Sequence, residues 1–182
     1  MRVFLVGFVL LLASAAAADP VRTEAANLRF AHPSEWTRVP APSDMRAAQF
    51  RVPKAAGDAE DAEAILFFFG KGQGGSAADN LDRWYRQMTQ PDGKPSKDVG
   101  VVTIKTVNGL KITMLDLPGT YQGMPAAGRG GDSTPKAGYR LLAAVIEGDP
   151  GPWFLRVVGP DATVKAAKPQ FETLLGSVEA HK

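Results

Sequence analysis

His32 and His181 are the only imidazoles in the chain, and there is no Cys. Nucleophilic catalysis of the Ser-His-Asp kind would have to run through His32, because His181 lies one residue from the C-terminus, where fraying is expected. No G-x-S-x-G elbow presents a serine to it. His32 therefore reads as a turn residue beside Pro33. A structural zinc site needs several Cys or His ligands, which the chain cannot supply. The run "GDAEDAE" gathers Asp58, Glu60, Asp61 and Glu63, but it lacks the spacing and the glycine of a calcium loop. It reads as a solvated acidic turn. Glycoside chemistry needs two carboxyl groups that converge in space rather than in sequence. Glu35, Asp116 and Glu147 are the available ones, and no feature selects a pair. Asp116 falls late in a strand, where it is expected to bond to a turn.

The stretch "FFFGKGQGGSAADNLDRWYRQM" (67–88) has the outline of a phosphate loop. A Walker A loop would place Lys where Ser76 stands, and the third glycine of a dinucleotide fingerprint would fall at Ser76 as well. The local chemistry favours a corner. Ser76 with Asp79 forms a capping box, and Leu81, Trp84, Tyr85 and Met88 follow at one helix face. Trp84 is expected to fill the core.

The segment from Tyr121 to Gly138 is rich in Gly and Pro. A flexible loop over 122–137 is expected there, and loops of that length inside a domain are often functional. Arg129 is flanked by Gly128, Gly130 and Gly131, with Lys136 and Tyr139 close behind. Consecutive flexible amides beside an Arg suit an anion. Tyr121, Arg129, Lys136 and Tyr139 are thus the candidate ligand- or partner-binding residues.

The elements that must position these residues are mostly strands. Strands are expected at Leu28–Ala31, Ala47–Val52 and Ala64–Phe69. The last is apolar without alternation, as in a strand buried on both faces. "VVTIKTV-NG-LKITMLDL" places Asn108-Gly109 as a type I′ hairpin turn. Its register pairs Val107 with Leu110, Lys105 with Ile112 and Thr103 with Met114, with both faces partly covered. "YRLLAAVIEG" and "WFLRVVG" form a further hairpin, the first strand central. The final helix starts with Asp161 as N-cap and stops near Gly176. Pro169 predicts a kink or restart. Six to seven antiparallel strands flanked by helices on both faces give an α+β fold, an α/β/α-like sandwich.

Hydrophobic residues make up 45% and charged ones 22% of the 182 residues, which is a globular and not a disordered balance. Arg2, the apolar run Val3–Ala13 and the small residues up to Ala18 read as a secretory signal peptide over 1–18, cut after Ala18. A polar leader over 19–27 and one domain over 28–182 follow. Lys and Arg number 21 and Asp and Glu 19. Losing Arg2 brings the mature chain within one charge of neutral, which is no nucleic-acid footprint. No transmembrane segment remains after cleavage, no cofactor is expected, and the product should be periplasmic or extracellular.

"LRFAHPSEWTRV" near the start, "AQFRVP" after it, and the closing "FLRVVGP…FETLLGSV" resemble the PsbP-like superfamily. That fold is shared by the photosystem II extrinsic protein PsbP and a Ran-binding nuclear import factor. The resemblance spans most of residues 28–178 and transfers no functional residue. It implies a non-catalytic binding or accessory protein of the bacterial envelope. Its partner would be an envelope protein or a small ligand. A carboxylate-based secreted hydrolase is the alternative.

Overall fold

The computed structural model describes residues 19–123 and 134–181. Residues 1–18, expected as a signal peptide, and most of the expected 122–137 loop lie outside the described residues. The chain forms an α+β fold around one eight-stranded antiparallel sheet. Its strands are β3 (Thr37–Arg38), β4 (Arg46–Val52), β5 (Ala62–Phe68), β6 (Met88–Thr89), β7 (Val101–Val107), β8 (Leu110–Tyr121), β9 (Lys136–Glu147) and β10 (Trp153–Pro160). The order is β3-β4-β5-β10-β9-β8, with β6 and β7 both paired to β8. A small three-stranded sheet joins β1 (Val21–Ala25), β2 (Leu28–His32) and β11 (Glu179–Ala180).

The stretch 19–27, expected as a polar leader, contains β1. Only Ala25 of its five residues is buried, so the apolar signal for a strand is missing and pairing with β2 supplies the order. The hairpin at Asn108-Gly109 has the register read from the sequence, Val107↔Leu110 through Thr103↔Met114. Both turn residues have positive φ, 50° and 79°, as a type I′ turn requires. The expected coverage of both faces does not extend to β7. Val101, Val102 and Ile104 are 61%, 40% and 62% exposed, because β7 is an edge strand with β8 as its neighbour.

Side chains alternate along β9 and feed two apolar clusters. Leu142, Ala144 and Ile146 join Trp36, Trp153 and five buried side chains of helix α3 (Asp161–Gly176): Val164, Ala167, Phe171, Leu174 and Leu175. Leu141, Ala143 and Val145 join Leu115, Leu117, Phe154 and Trp84, the last from helix α1 (Ala77–Arg86). A four-residue helix α2 (Ser96–Val99) lies between β6 and β7. It is too short to show periodicity in "PSKDVG".

Helix α1 begins as the sequence predicts. The Ser76 hydroxyl accepts from the Asp79 N–H at 3.2 Å, and the Asp79 carboxylate accepts from the Ser76 N–H at 3.0 Å. Helix α3 departs from its expected start. Its N-cap is Pro160, and the Asp161 side chain makes no capping bond. Asp58 caps the helix from a distance instead, accepting from the Thr163 N–H at 2.9 Å. The helix is continuous through Pro169, so of the expected kink or restart there is no restart. Buried apolar residues before and after the proline, Ala167 and Phe171, hold both halves against the same cluster.

Candidate functional site

Each carboxylate named for the hydrolase alternative has a partner. Asp116 of β8 is buried and accepts from Arg140 Nε and Nη2 at 2.6 and 3.0 Å and from Lys168 Nζ at 2.8 Å. Arg140 also donates to Asp161 at 3.0 Å. Burial would raise the Asp116 carboxyl, but the bonds from Arg140 and Lys168 outweigh it and hold the group below its ordinary value. Asp116 was expected to bond to a turn; it is the centre of an ion-pair network that ties β8 to β9 and α3. Glu35 accepts from Gln170 Nε2 at 2.5 Å, and Glu147 pairs with Lys111 at 3.1 Å.

The imidazoles are also engaged. His32 ends β2, is buried beside Phe30 and Phe50, and has Nδ1 2.8 Å from the Pro33 carbonyl oxygen. His181 is not frayed as expected. Its N–H donates to the Asn27 carbonyl at 3.0 Å, and its ring pairs with Glu24. The strand β11 just before it, paired to β2, holds the chain end in place.

The acidic run is a partly solvated turn, as expected, but its carboxylates also have partners. Asp58 caps α3, Asp61 accepts from the Lys54 N–H at 2.9 Å, and Glu63 accepts from Gln49 Nε2 at 2.6 Å. Glu60 reaches the predicted binding residues. Lys136 Nζ lies 3.1 Å from its carboxylate, and the Tyr139 hydroxyl donates to it. The Tyr121 and Tyr139 rings stack with centroids 6.2 Å apart and 5° between their planes. Lys136 Nζ lies 5.4 Å from the Tyr139 ring centre. Tyr121, Lys136 and Tyr139 are thereby brought together at the base of the β8–β9 hairpin. Tyr121 and Lys136 are a cross-strand pair, so the strands extend further into the Gly- and Pro-rich segment than its composition predicts. Arg129 lies outside the described residues. The Glu60 bond holds Lys136 above its ordinary pKa. Burial and the same carboxylate push the Tyr139 phenol up. At neutral pH Lys136 is therefore a cation and Tyr139 a neutral phenol, and both bond to Glu60.

The glycine-rich stretch turns a corner. Asn80 Nδ2 donates to the carbonyls of Gly74 and Ser76 at 3.0 and 2.9 Å, locking the corner to the first turns of α1. A Cβ on Gly74 would stand 2.4 Å from the Phe154 ring, so only glycine lets the backbone pass there. Beside α1 and this corner is a small cavity of about 80 Å³. Phe67, Phe69, Phe154 and Trp84 form its apolar walls, and Arg156 and Gln87 supply buried polar groups. Sequence reasoning missed it. The available signal was Arg156 itself, one charge inside the otherwise apolar run of β10.

Two solved structures are similar over most of the chain. One is CyanoP, the cyanobacterial PsbP of Synechocystis sp. PCC 6803, at 15% identity and TM-score 0.54, covering 93% of this chain and 99% of that one. The other is PA94 of Pseudomonas aeruginosa, a protein of unknown function, at 13% identity and TM-score 0.49, covering 91% of this chain and 99% of that one. The chain has a PsbP-like fold. No protein-family model and no curated protein matches it.

Proposed function

We propose that this chain is an exported, non-catalytic binding or accessory protein of the bacterial envelope, an α/β/α-like sandwich that docks onto another envelope protein. The observation that carries this reading is the edge strand β7. Val101, Val102 and Ile104 stand 40–62% exposed along it, and among the described residues its outer side has no paired strand. Exposed apolar edges invite strand pairing, and soluble proteins ordinarily blunt or cover them. An edge of this kind suits a partner that adds a strand or covers the patch. The engagement of Asp116 and Glu35 in hydrogen bonds of their own supports a binding role over hydrolysis. In this proposal Tyr121, Lys136 and Tyr139, at the base of the β8–β9 hairpin, are a second contact for the partner, together with Arg129, which lies outside the described residues.

Affinity capture from the native envelope tests the reading. The mature chain is compared with a Val101→Lys/Ile104→Lys variant, whose changes fall on exposed side chains and leave the core intact. A discrete partner retained by the native chain and lost by the variant is expected. The same partners captured by both would overturn the assignment of β7.

A further inference from the structure

Arg156 is 4% exposed, and its Nε has no hydrogen-bond partner. The residue lies on β10 opposite Ile65, on the sheet face that also carries Phe154 and Phe67. Its guanidinium carbon stands 5.6 Å from the Phe67 ring centre. The carboxylate in the neighbouring row, Glu63, is taken by Gln49 and Arg46. Arg140, the other deeply placed arginine described above, has two carboxylates. Arginine cannot shed its proton to escape burial, and a buried charge without a counter-charge is costly. The Gln87 Oε1, buried in the same cavity, also has no partner.

We propose that this cavity is a binding site for a short-chain monocarboxylate. The carboxylate accepts from the Arg156 guanidinium, which is suited to planar bidentate pairing. The ligand's apolar body lies against Phe69, Phe154 and Trp84. A hydroxyl next to the carboxylate donates to Gln87 Oε1, so a 2-hydroxy acid binds more tightly than its parent. The volume sets the size. About 80 Å³ is roughly half of the 150 Å³ or so that holds a benzene ring. The cavity therefore encloses the carboxylate and its first carbon atoms, and a small branched body reaches the mouth, where an indole or a long acyl chain finds no wall. Arg83, on the same rim and bonded to Asn80 at 3.0 Å, adds positive potential at the mouth. This site lies on the sheet face beside α1, away from the β7 edge, and the two proposals fail separately.

Calorimetric titration of the mature chain tests it, with isobutyrate, 2-hydroxyisobutyrate, uncharged isobutyramide and inorganic phosphate as probes. Saturable binding of isobutyrate is expected, with the hydroxy acid tighter. Isobutyramide, phosphate and the Arg156→Gln variant should each show at least about tenfold weaker binding, about 1.4 kcal/mol. Melting curves check that Arg156→Gln is folded. If it is not, Arg156→Lys replaces it, with weakened isobutyrate binding expected because the planar fork is lost. Absence of saturable carboxylate binding, or equal binding by isobutyramide or phosphate, would overturn the proposal. So would equal isobutyrate binding by a folded Arg156 variant. Each of those results would leave a bridging water as the partner of Arg156 and Gln87.

Discussion

The Asp58 carboxylate accepts from both the backbone N–H and the hydroxyl of Thr163, 105 positions further along the chain. Thr163 in turn accepts from the Ala55 N–H at 2.9 Å. The β4–β5 loop is thus the missing cap of α3, and its negative charge complements the helix N-terminus. Asp58→Ala should lower stability by about 1–2 kcal/mol, or about 2–4 °C in melting temperature per kcal/mol. A thermal melt followed by circular dichroism checks this, and an unchanged midpoint would show that the loop contributes no cap.

The Asp116 network makes stability depend on acid. Its folded carboxyl lies below the ordinary value because Arg140 and Lys168 outweigh burial. As pH falls, the unfolded chain takes up this proton first. The network's contribution is complete above the unfolded value of about 3.9 and is lost as pH falls through the folded value. Asp116→Asn should weaken the fold at neutral pH by about 1–3 kcal/mol, less than for a fully buried pair because Lys168 is partly exposed. It should also flatten the acid limb of a urea-midpoint against pH profile. A variant limb as steep as the parent's would assign the acid sensitivity to other carboxylates.

Trp84 is almost wholly buried beside Leu115, Leu141 and Phe154. Trp84→Ala should cost about 3–5 kcal/mol through the cavity it leaves. Urea denaturation reads this directly. A near-unchanged midpoint would mark Trp84 as a dispensable surface ring.

Two glycines of the corner should behave differently. Gly74 has φ +96°, and a Cβ there would meet Phe154 at 2.4 Å and Phe69 at 2.8 Å. Gly72 has φ +67°, and nothing lies within 4 Å of its Cβ position. Gly72→Ala should cost about 1–2 kcal/mol from backbone strain alone. Gly74→Ala adds overpacking worth about 1–3 kcal/mol. Equal melting temperatures for the two variants would mean that the corner is not packed on these rings.

What the sequence made legible is local. The Asn108-Gly109 turn sets its own register, the Ser76–Asp79 box starts its own helix, and the unbroken apolar run of β9 marks a central strand. The PsbP-like order of elements was legible from "LRFAHPSEWTRV" near the start and the closing "FLRVVGP…FETLLGSV". What escaped depends on distant partners. β1 is recognisable only through pairing with β2, and the acidic loop looks solvated until Thr163, Tyr139 and Lys136 arrive from other elements. The meaning of Arg156 lies in which carboxylates do not reach it, and no spacing rule in the sequence encodes that. Three of the four expected binding residues do gather in space, yet around Glu60, which had been placed in a different role.

Site-specific photo-crosslinking in the intact native envelope tests the central claim most directly. A photoreactive side chain is placed at Ile104 on the outer edge of β7, and a control is placed at exposed Glu172 on α3. A single discrete adduct from position 104, absent from position 172, is the predicted result. No adduct at position 104, or the same adducts at both positions, would contradict a docking edge on β7.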